Sequence, residues 1–265
     1  MGVIGQISEN ITLKEVNTVI RPGSKRYLSV SADSTHFVNC SGQINLIDCT
    51  FTNMLDDAGN FHGTYTIINK ILNKNTMLLT FNHFQQKGIM IYEKGDTIHL
   101  VENSTLVSYA EMTVKSATWL SSDFIRIETE EVLPTEMAIG HAVENYSRMP
   151  SVLIKGCVTG HNRPRGFLIT TNKKVVIEDC TFFNMSCGLH FTVDANDWFE
   201  SGPVCDVTVR NNNFKNSAYT GGPAIAINPA IKVKKNNYYH SGITIENNTF
   251  EMHEKRFLSI NNSKD

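Results

Sequence analysis

The sequence lacks the features that define several large classes of protein. Its 24 Lys and Arg against 26 Asp and Glu leave a net charge of −2, so it has no basic surplus for binding nucleic acid. No apolar run reaches the ~20 residues of a membrane-spanning helix. The N-terminal segment MGVIGQISENITL has neither the basic region nor the long apolar region of a signal peptide. A nucleic-acid partner and a membrane span are therefore not predicted.

Metal-binding patterns are also missing from the six cysteines, because neither CxxC nor a Cys/His pair at ligand spacing occurs. Cys49, Cys157 and Cys180 share one position of a repeated segment, and Asn212 and Asn248 fill that position in other copies. We therefore predict buried free thiols, with disulfides only where neighbouring repeats bring two thiols together. The sequence predicts no metal site and no cofactor.

Five copies of that segment recur along the chain. They are INLIDCTFTNM from Ile44, VLIKGC from Val152, VVIEDCTFFNM from Val175, VTVRNNNFKNS from Val207 and ITIENNTFEMH from Ile243. Apolar residues alternate, which predicts a strand with one buried face. An Asp, Asn or Gly follows, where the chain turns through left-handed backbone angles. Because two copies start 23 residues apart, the segments predict successive coils of a parallel β-helix.

One aromatic residue recurs at a fixed offset within the repeated segment. It is Phe51, Phe182, Phe214 or Phe250, depending on the copy. Residues one coil apart in a β-helix lie above one another at the strand spacing of about 4.8 Å. The offset therefore predicts an interior stack of phenylalanine rings.

The repeat is absent from about residue 85 to 147. KGDTIHLVENSTLV, YAEMTVKSATWL and DFIRIETEE stand there instead, and they alternate in polarity between turns. This pattern predicts a small antiparallel barrel or sandwich. The predicted organisation is a first β-helix part over 1–84, an inserted barrel over 85–147 and a second β-helix part over 148–265. Neither end carries a capping helix, so we expect a longer protein or a partner to cover the exposed strand edges.

Three carboxylates are expected to converge on one face of the β-helix. Asp33 and Asp56 are 23 residues apart, about one coil, and Asp57 adjoins Asp56. Mutual repulsion raises the pKa of at least one such group, as a general acid needs near neutral pH. The same register places Arg165 in the column of Asp57. Asp is also common in turns, so a purely structural role for the adjacent pair is the alternative.

Two further strings carry polar and aromatic side chains near this cluster. NDWFESGP forms part of an insertion, and HNRPRG precedes a coil strand. A Trp beside carboxylates suits the apolar faces and hydroxyl groups of a sugar, whereas the structural alternatives are an insertion loop with a buried Trp and solvated arginines. The candidate substrate-binding residues are Asn60, His62, Arg163, Arg165, Asp197, Trp198 and Glu200.

Several long strings together resemble glycoside hydrolase family 110, the α-1,3-galactosidases. They are RPGSKRYLSVSADSTHFVNCSG, LDDAGNFHG, NRPRG, NDWFESGPV and the inserted region that ends in ENYSRMPSVLI. The resemblance implies an all-β chain, a right-handed parallel β-helix interrupted by a β-barrel insertion. It implies release of terminal α-1,3-linked galactose from blood-group B or linear glycans, with inversion and without a metal. It maps the family's acidic active-site residues onto Asp33, Asp56 and Asp57.

The resemblance also bears on context and partners. Members of that family are longer and have N-terminal coils that precede the part matched here. We expect an exported protein, periplasmic or extracellular, with the signal and the N-terminal region absent from this chain. The expected partner is a glycan with a terminal α-galactose, and a homodimer is a further possibility.

Three functions are consistent with the residues. In the first, an inverting exo-glycosidase, we assign Asp56 as the acid that protonates the leaving oxygen and Asp33 and Asp57 as the groups that hold the attacking water. The second is a polygalacturonase-like hydrolase, which also places an aspartate pair and an HG string on a β-helix. The third is a non-catalytic carbohydrate-binding β-helix in which the aspartates only form turns.

Overall fold

The computed structural model describes residues 1–235, 238–252 and 256–264, and almost all of its regular structure is β-strand. The first strands are β1 (Val3–Gln6), β2 (Glu9–Lys14), β3 (Asn17–Thr18), β4 (Thr35–Val38), β5 (Ser41–Ile47), β6 (Thr50–Thr52), β7 (Gly59–Asn73), β8 (Thr76–Thr80), β9 (Thr97–Glu102), β10 (Val107–Trp119), β11 (Phe124–Thr129) and β12 (Ala142–Asn145). One 3-10 turn, Phe84–Gln86, lies between β8 and β9.

The strands continue through the second half of the chain. They are β13 (Ser151–Lys155), β14 (Val158–Gly160), β15 (Phe167–Ile169), β16 (Val175–Glu178), β17 (Thr181–Phe183), β18 (Leu189–Phe191), β19 (Glu200–Ser201), β20 (Val207–Arg210), β21 (Asn213–Lys215), β22 (Ile225–Ile227), β23 (His240–Ser241), β24 (Ile243–Glu246), β25 (Thr249–Glu251), β26 (Leu258–Ile260) and β27 (Ser263–Lys264). Within the described ranges, no helix is long and apolar enough to cross a membrane.

Three parallel sheets form the walls of a β-helix. Sheet A has the order β1-β4-β7-β15-β18-β22-β26, sheet B the order β2-β5-β13-β16-β20-β24, and sheet C the order β3-β6-β14-β17-β21-β25. Each coil adds one strand to each sheet, and the repeated segments pair in register, as Val152 with Val175 and Val207 with Ile243. The predicted all-β parallel β-helix is confirmed.

The predicted phenylalanines lie inside the coils. Phe51, Phe182 and Phe214 are fully buried, and Phe250 is partly buried near the last coil. The ring centroids of Phe182 and Phe214, and of Phe214 and Phe250, are both 4.8 Å apart with nearly parallel planes. That distance is the spacing of neighbouring strands, so the backbone ladder sets the stacking distance.

The stack is interrupted at one coil, where the sequence has Thr159 in place of a phenylalanine. Thr159 pairs with Phe51 on one side and Phe182 on the other. Phe167 of sheet A fills the space, with edge-on ring contacts at 6.5 Å to Phe51 and 6.1 Å to Phe182. The interior therefore stays filled although the repeat loses its aromatic residue there.

The turns between sheets B and C have the left-handed backbone that the repeat predicts. The φ angles lie between 51° and 57° at Asp48, Asp179, Asn211 and Asn247, and φ is 64° at Gly156. Asp, Asn and Gly adopt these angles at the lowest steric cost. The same residue types at this one step of each copy are thus explained by backbone geometry.

A ladder of hydrogen-bonded side chains follows these turns and explains why either Cys or Asn can occupy this position. The backbone N–H of Cys157 donates to Sγ of Cys180, that of Cys180 donates to Oδ1 of Asn212, and that of Asn212 donates to Oδ1 of Asn248. A thiol and a carboxamide both accept this bond in a small space. All six thiols are free, and all but one are buried. The exception is Cys205, which is exposed because it precedes β20 in a loop.

A closed antiparallel barrel interrupts the β-helix between β7 and β13. Its strand order is β12-β9-β10-β11-β8-β7, and pairing of β12 with β7 closes the ring. It has its own apolar core, which includes Ile68, Leu79, Leu100 and Ile127. The barrel begins before residue 85, because β8 and the second half of β7 belong to it. β7 passes from coil to barrel as one continuous strand, so its sequence shows no boundary.

The loops border sheet A on two sides. The loops that enter β4, β7 and β15 carry the predicted acidic and basic residues. The barrel and the segment with β19 leave from the opposite ends of sheet A strands, before the chain enters sheet B. The outer face of sheet A therefore forms the floor between these two sets of loops.

The interior stack predicts a large difference between two adjacent phenylalanines. Phe182→Ala removes a fully buried ring and should lower the free energy of unfolding by about 3–5 kcal/mol. Phe183 points outward in the same strand and is partly exposed, so Phe183→Ala should cost less than about half as much. Denaturant unfolding of both variants measures the difference, and equal losses would contradict the assigned register.

Candidate active site

The outer face of sheet A carries a row of residues in register across the coils. Phe37 of β4 and Phe61 of β7 point into the core. Because side chains alternate along a strand, the residue before each of them faces outward. His62 lies two residues beyond Asn60 on the same face. The row consists of His36, Asn60, Leu168, His190 and Ala226.

The three predicted aspartates meet at the entry end of this row. Carboxyl oxygens of Asp33, Asp56 and Asp57 all lie within 4.8 Å of one another. Asp33 and Asp57 are buried, whereas Asp56 is half-buried. The backbone N–H of Asp57 donates to Oδ1 of Asp33 at 3.2 Å, so the one-coil register holds two of the carboxyl groups together.

Asp57 has its own cationic partner. Nε and Nη2 of Arg165 donate to its two oxygens at 2.9 and 2.7 Å, and the Arg165 backbone N–H donates to Oδ1 at 3.1 Å. Burial raises the pKa of the Asp57 carboxyl to about 7, although the guanidinium opposes this rise. Burial acts to lower the pKa of Arg165, and the Asp57 charge more than offsets it. This two-pronged contact fixes the orientation of the Asp57 carboxylate.

Asp33 contacts His36, which in turn contacts His62. Nδ1 of His36 lies 2.6 Å from Oδ2 of Asp33, and Nε2 of His36 lies 2.8 Å from Nε2 of His62. Nδ1 of His62 donates to the carbonyl oxygen of Gly63 at 2.7 Å. Burial lowers the pKa of His62, while the charge of Glu200 opposes this shift. The two rings meet edge to face, with centroids 4.9 Å apart.

Asp56 differs from its two neighbours in its surroundings. Among the residues that the structure describes, it forms no ion pair, whereas Asp33 and Asp57 each have one with His36 and Arg165. Burial, and after it the charge of Asp33, raises the pKa of the Asp56 carboxyl. Asp56 therefore combines a raised pKa with a carboxyl group that no cation binds and that is exposed enough to reach a ligand, whereas the Asp57 carboxyl is buried against Arg165.

Asn162 holds the loop of Arg165 against the acidic cluster. Its Nδ2 donates to the carbonyl oxygens of Asp56 and Arg165 at 2.9 and 2.6 Å. Asn184, from the next coil, donates to its Oδ1 at 2.5 Å. The HNRPRG string therefore has a structural component, a buried amide that joins two loops, as well as its charged side chains.

Glu200 reaches the same face from the insertion that contains β19. Its Oε1 accepts from Nδ2 of Asn60 at 3.2 Å and lies 3.7 Å from Nε2 of His62. β19 pairs antiparallel with β7, opposite Gly63 and Thr64. A Cβ on Gly63 would lie 2.5 Å from Oγ of Ser201, so only glycine lets β19 approach this closely. The structure thus brings Glu200, Asn60 and His62 together on this face.

Trp198 lies at the junction of this insertion with the barrel. Its indole is 58% exposed, and the ring centroid is 5.1 Å from that of His83. Gln86 of the barrel donates to the carbonyl oxygen of Trp198 at 2.8 Å. Trp198 is thus an exposed side chain on an anchored backbone, and the structural alternative of a buried Trp is wrong.

The two remaining predicted residues, Asp197 and Arg163, are less closely associated with the acidic cluster. Asp197 is exposed, and its backbone N–H is held by the carboxylate of Asp194. Arg163 is also exposed, and its charge lowers the pKa of Asp56. Neither side chain contacts Asp33 or Asp57 in the described part of the chain.

The carboxyl cluster also has the compactness of a divalent-cation site. Two of its members already have side-chain partners, the Arg165 guanidinium on Asp57 and the His36 ring on Asp33. These partners reduce the negative charge available to a cation, and hard cations need that charge. The absence of a metal from the chemistry stays a prediction.

Sequence reasoning missed His36. It stands three residues after Asp33, and its strand neighbour across the sheet is Asn60. The signal was available, because His36 precedes the inward-facing Phe37 and must therefore point outward. His190, whose Nε2 lies 2.6 Å from Oδ1 of Asn228, belongs to the same row and was missed for the same reason.

The contact between Arg165 and Asp57 predicts a pH-dependent loss of stability on replacement of the arginine. The folded-state pKa of Asp57 lies above its unfolded value, so its contribution to stability is present at low pH and is lost as pH rises through about 7. Arg165→Met should raise that pKa further. The variant should lose about 3–5 kcal/mol near pH 8, where it leaves a buried charge without a partner, and clearly less near pH 5.

The double variant Asp57→Asn/Arg165→Met is the control for this prediction. Without a carboxyl group at position 57, the free energy of unfolding of this double variant should change much less between these two pH values than that of Arg165→Met. Denaturant unfolding at each pH measures all three proteins. An Arg165→Met penalty that is the same at both pH values would contradict the assigned contact.

Comparison with known proteins relates the chain to a protein family. Residues 71–143 match the family model of GLAA-B β-barrel domain II, which covers most of the barrel seen here. A bacteriophage AP22 tailspike in complex with capsular saccharide aligns over 93% of this chain and 53% of its own, with a TM-score of 0.19 and 10% identity. That likeness is too weak to support an inference.

Sequence relatives extend the match over almost the whole chain. Alpha-1,3-galactosidase A of Bacteroides fragilis is 37% identical over 94% of this chain and 42% of its own length. Alpha-1,3-galactosidase A of Shewanella woodyi is 33% identical over 100% and 44%, and alpha-1,3-galactosidase B of Bacteroides thetaiotaomicron is 32% identical over 97% and 43%. The chain spans less than half the length of these relatives. As its motifs predict, the chain is therefore related, along nearly all of its sequence, to the α-1,3-galactosidases.

Proposed function

We propose that this protein is an exo-acting glycoside hydrolase that releases terminal α-1,3-linked galactose. The observation that carries the proposal is the carboxyl cluster on the outer face of sheet A. Asp57 is paired with the Arg165 guanidinium and Asp33 is bonded to the His36 ring, whereas Asp56 has no such side-chain partner within the described residues. Glycoside hydrolysis needs such a division, because one carboxyl group must hold a proton while another is ionised.

Asp56 is the proposed general acid. Its pKa is raised by burial and by Asp33, so it retains its proton closer to neutral pH than an ordinary aspartate. It is also the least buried member of the cluster and can contact a glycosidic oxygen. Proton transfer to the leaving oxygen as the glycosidic bond breaks would leave Asp56 ionised.

Asp33 and Asp57 are the proposed partners of the incoming water. Both are held by hydrogen bonds to neighbouring groups, which fixes their orientation before a substrate arrives. The water would lose a proton to one of these carboxylates as its oxygen bonds to the anomeric carbon. A fixed base and a fixed acid on one rigid sheet remove much of the entropic cost of bringing the reacting groups together.

The stereochemical outcome is a separate part of the proposal. The resemblance to family 110 supports inversion. One oxygen from each aspartate lies within 4.8 Å of the others, whereas the ~6.5–9.5 Å of inverting and ~5–5.5 Å of retaining enzymes are separations of whole carboxyl groups. Retention through attack by one of these carboxylates is the second stereochemical candidate.

The proposed galactose contacts come from both sides of the floor. Oδ1 of Asn60 and Nδ1 of His190 are buried and have no hydrogen-bond partner among the described residues. Hydroxyl groups of a sugar would satisfy both atoms. Glu200, beside Asn60, adds a charged acceptor, and Arg163 and Asp197 are exposed polar groups at the rim. The exposed indole of Trp198 is the proposed wall against the apolar face of the ring.

A polygalacturonase-like function is less well supported by the charges. Such an enzyme must bind uronate carboxylates with cationic groups. Arg165, the half-buried arginine at the cluster, already binds Asp57 through two of its side-chain nitrogens. A binding protein without catalysis would not need a carboxyl group of raised pKa in the open part of the cluster.

Asp56→Asn should abolish most turnover without unfolding the protein. The assay is release of galactose from blood-group B trisaccharide and from Gal-α-1,3-Gal. Hydrolysis of polygalacturonate is assayed separately, as the test of the polygalacturonase-like alternative. We expect kcat to fall by at least about a hundredfold, because the acid is lost. Asp48→Asn is the matched control, since Asp48 is exposed on a turn remote from sheet A and Asn accepts its left-handed backbone. Unchanged kcat in Asp56→Asn would reject the assigned role.

The anomer of galactose that appears first distinguishes the two stereochemical candidates. Proton NMR during the first minutes of the reaction should show β-galactose before mutarotation if the configuration inverts. An α-galactose signal at the start would reject inversion and support the retaining alternative. Neither result would alter the assignment of the substrate.

Trp198→Ala should weaken substrate binding more than it lowers stability. Because the indole is 58% exposed, its removal should cost little free energy of unfolding. We expect KM for Gal-α-1,3-Gal to rise about tenfold, since a well-placed contact with an aromatic ring contributes about 0.5–1.5 kcal/mol. Trp119→Ala is the control, an exposed tryptophan at the end of β10 in the barrel. A large loss of stability with unchanged KM would show that Trp198 only packs the insertion against the barrel.

A further inference from the structure

We propose that Asp33, His36 and His62 form a hydrogen-bonded string that carries one extra proton, beyond those of an ionised Asp33 and two neutral histidine rings. Through this proton His36 is the positioning residue for Asp33. The string itself follows from geometry. Its effect on catalysis rests on the proposed function.

The proton count begins at the closed end of the string. The carbonyl oxygen of Gly63 can only accept, so Nδ1 of His62 carries a hydrogen in the 2.7 Å contact. Nε2 of His62 and Nε2 of His36 are 2.8 Å apart, and exactly one hydrogen can lie between two ring nitrogens at this distance. The contact of His36 Nδ1 with Asp33 Oδ2 at 2.6 Å needs a further hydrogen.

Three contacts therefore require three hydrogens. Two neutral imidazoles and a carboxylate supply only two, one on each ring. The third makes the string electrically neutral as a whole. It can lie on His36 as an imidazolium beside an Asp33 carboxylate, and burial of His62, at 4% exposure, disfavours the form with the charge on that ring.

The surroundings of the string favour the form with a charged His36. Asp33 lies on one side of it, and beyond Asp33 are Asp56 and the ion pair of Asp57 with Arg165. On the other side, Oε1 of Glu200 is 3.7 Å from Nε2 of His62. These are the titratable and charged groups that face the two rings in the described part of the chain, and most of them are acidic.

Loss of the extra proton would break one hydrogen bond of the string. If it loses its extra proton, one contact must bring two lone pairs together at less than 3 Å, and the contact must open. Asp33 would then lose the bond that orients its Oδ2. Catalysis that depends on Asp33 should fall as the pH rises through the pKa of the string.

The first test measures the proton without an assay of activity. Ring nitrogen NMR of the protein labelled with ¹⁵N-histidine reports the protonation of each imidazole, and His36→Gln and His62→Gln assign the signals. We expect one imidazolium, at His36, together with a neutral ring at His62 protonated on Nδ1, in the protein at neutral pH. Two neutral rings at neutral pH would overturn the proposal.

The second test measures the pH dependence of turnover of Gal-α-1,3-Gal. His36→Gln cannot titrate, and its amide nitrogen takes the position of Nε2, which faces His62, rather than that of the Nδ1 bonded to Asp33. We expect kcat to fall about 10- to 100-fold and the alkaline limb of the kcat profile to disappear. His62→Gln should retain an alkaline limb, since its amide can still accept from His36 and donate to Gly63. His141→Gln, which replaces a barrel histidine bonded to Tyr109, is the control and should keep the wild-type profile.

The outcomes separate the proposal from the proposed function. An unchanged alkaline limb in His36→Gln, with normal folding, would overturn the positioning role even if NMR finds the imidazolium. Loss of the limb in His62→Gln alone would assign the role to His62 and overturn it for His36. A wild-type protein that hydrolyses no α-galactoside would reject the proposed function, and the NMR result would still decide the proton content of the string.

Discussion

The hydrogen-bonded register between successive coils is the constraint on which the site depends. Parallel pairing sets each residue beside its counterpart one coil away, as His36 beside Asn60 in sheet A. The same pairing brings Asp33 and Asp57 into direct contact, from loops 24 positions apart in sequence. A compact group of carboxyl oxygens thus needs no special local fold, because the repeat itself produces it.

Bringing acids together carries an electrostatic cost, and the structure offsets it one group at a time. Arg165 binds Asp57 with two nitrogens, and His36 binds Asp33. Asp56 remains without an ionic partner in the described part of the chain, which makes it chemically different from two residues of the same type. Surroundings rather than residue identity thus divide three aspartates into one candidate acid and two oriented carboxylates.

The repeat allowed the β-helix, the phenylalanine column and the left-handed turns to be predicted, because each follows from a period visible in the sequence. Register likewise predicted the meeting of Asp33, Asp56, Asp57 and Arg165. The start of the barrel could not be predicted, since β7 runs from coil to barrel without a break. The contact of Glu200 with Asn60 joins residues 140 positions apart through an insertion, and no repeat specifies that distance. His36 could have been predicted from its outward position.

The central claim is that one glycosidic bond fits among these three carboxyl groups with Asp56 on the leaving oxygen. A crystal structure of the Asp56→Asn protein with Gal-α-1,3-Gal bound tests it most directly. The account predicts a terminal galactose on the outer face of sheet A, with the glycosidic oxygen within hydrogen-bond distance of Asn at position 56 and the anomeric carbon facing Asp33 or Asp57. A galactose bound elsewhere, or one whose glycosidic oxygen faces Arg165 or solvent, would contradict it.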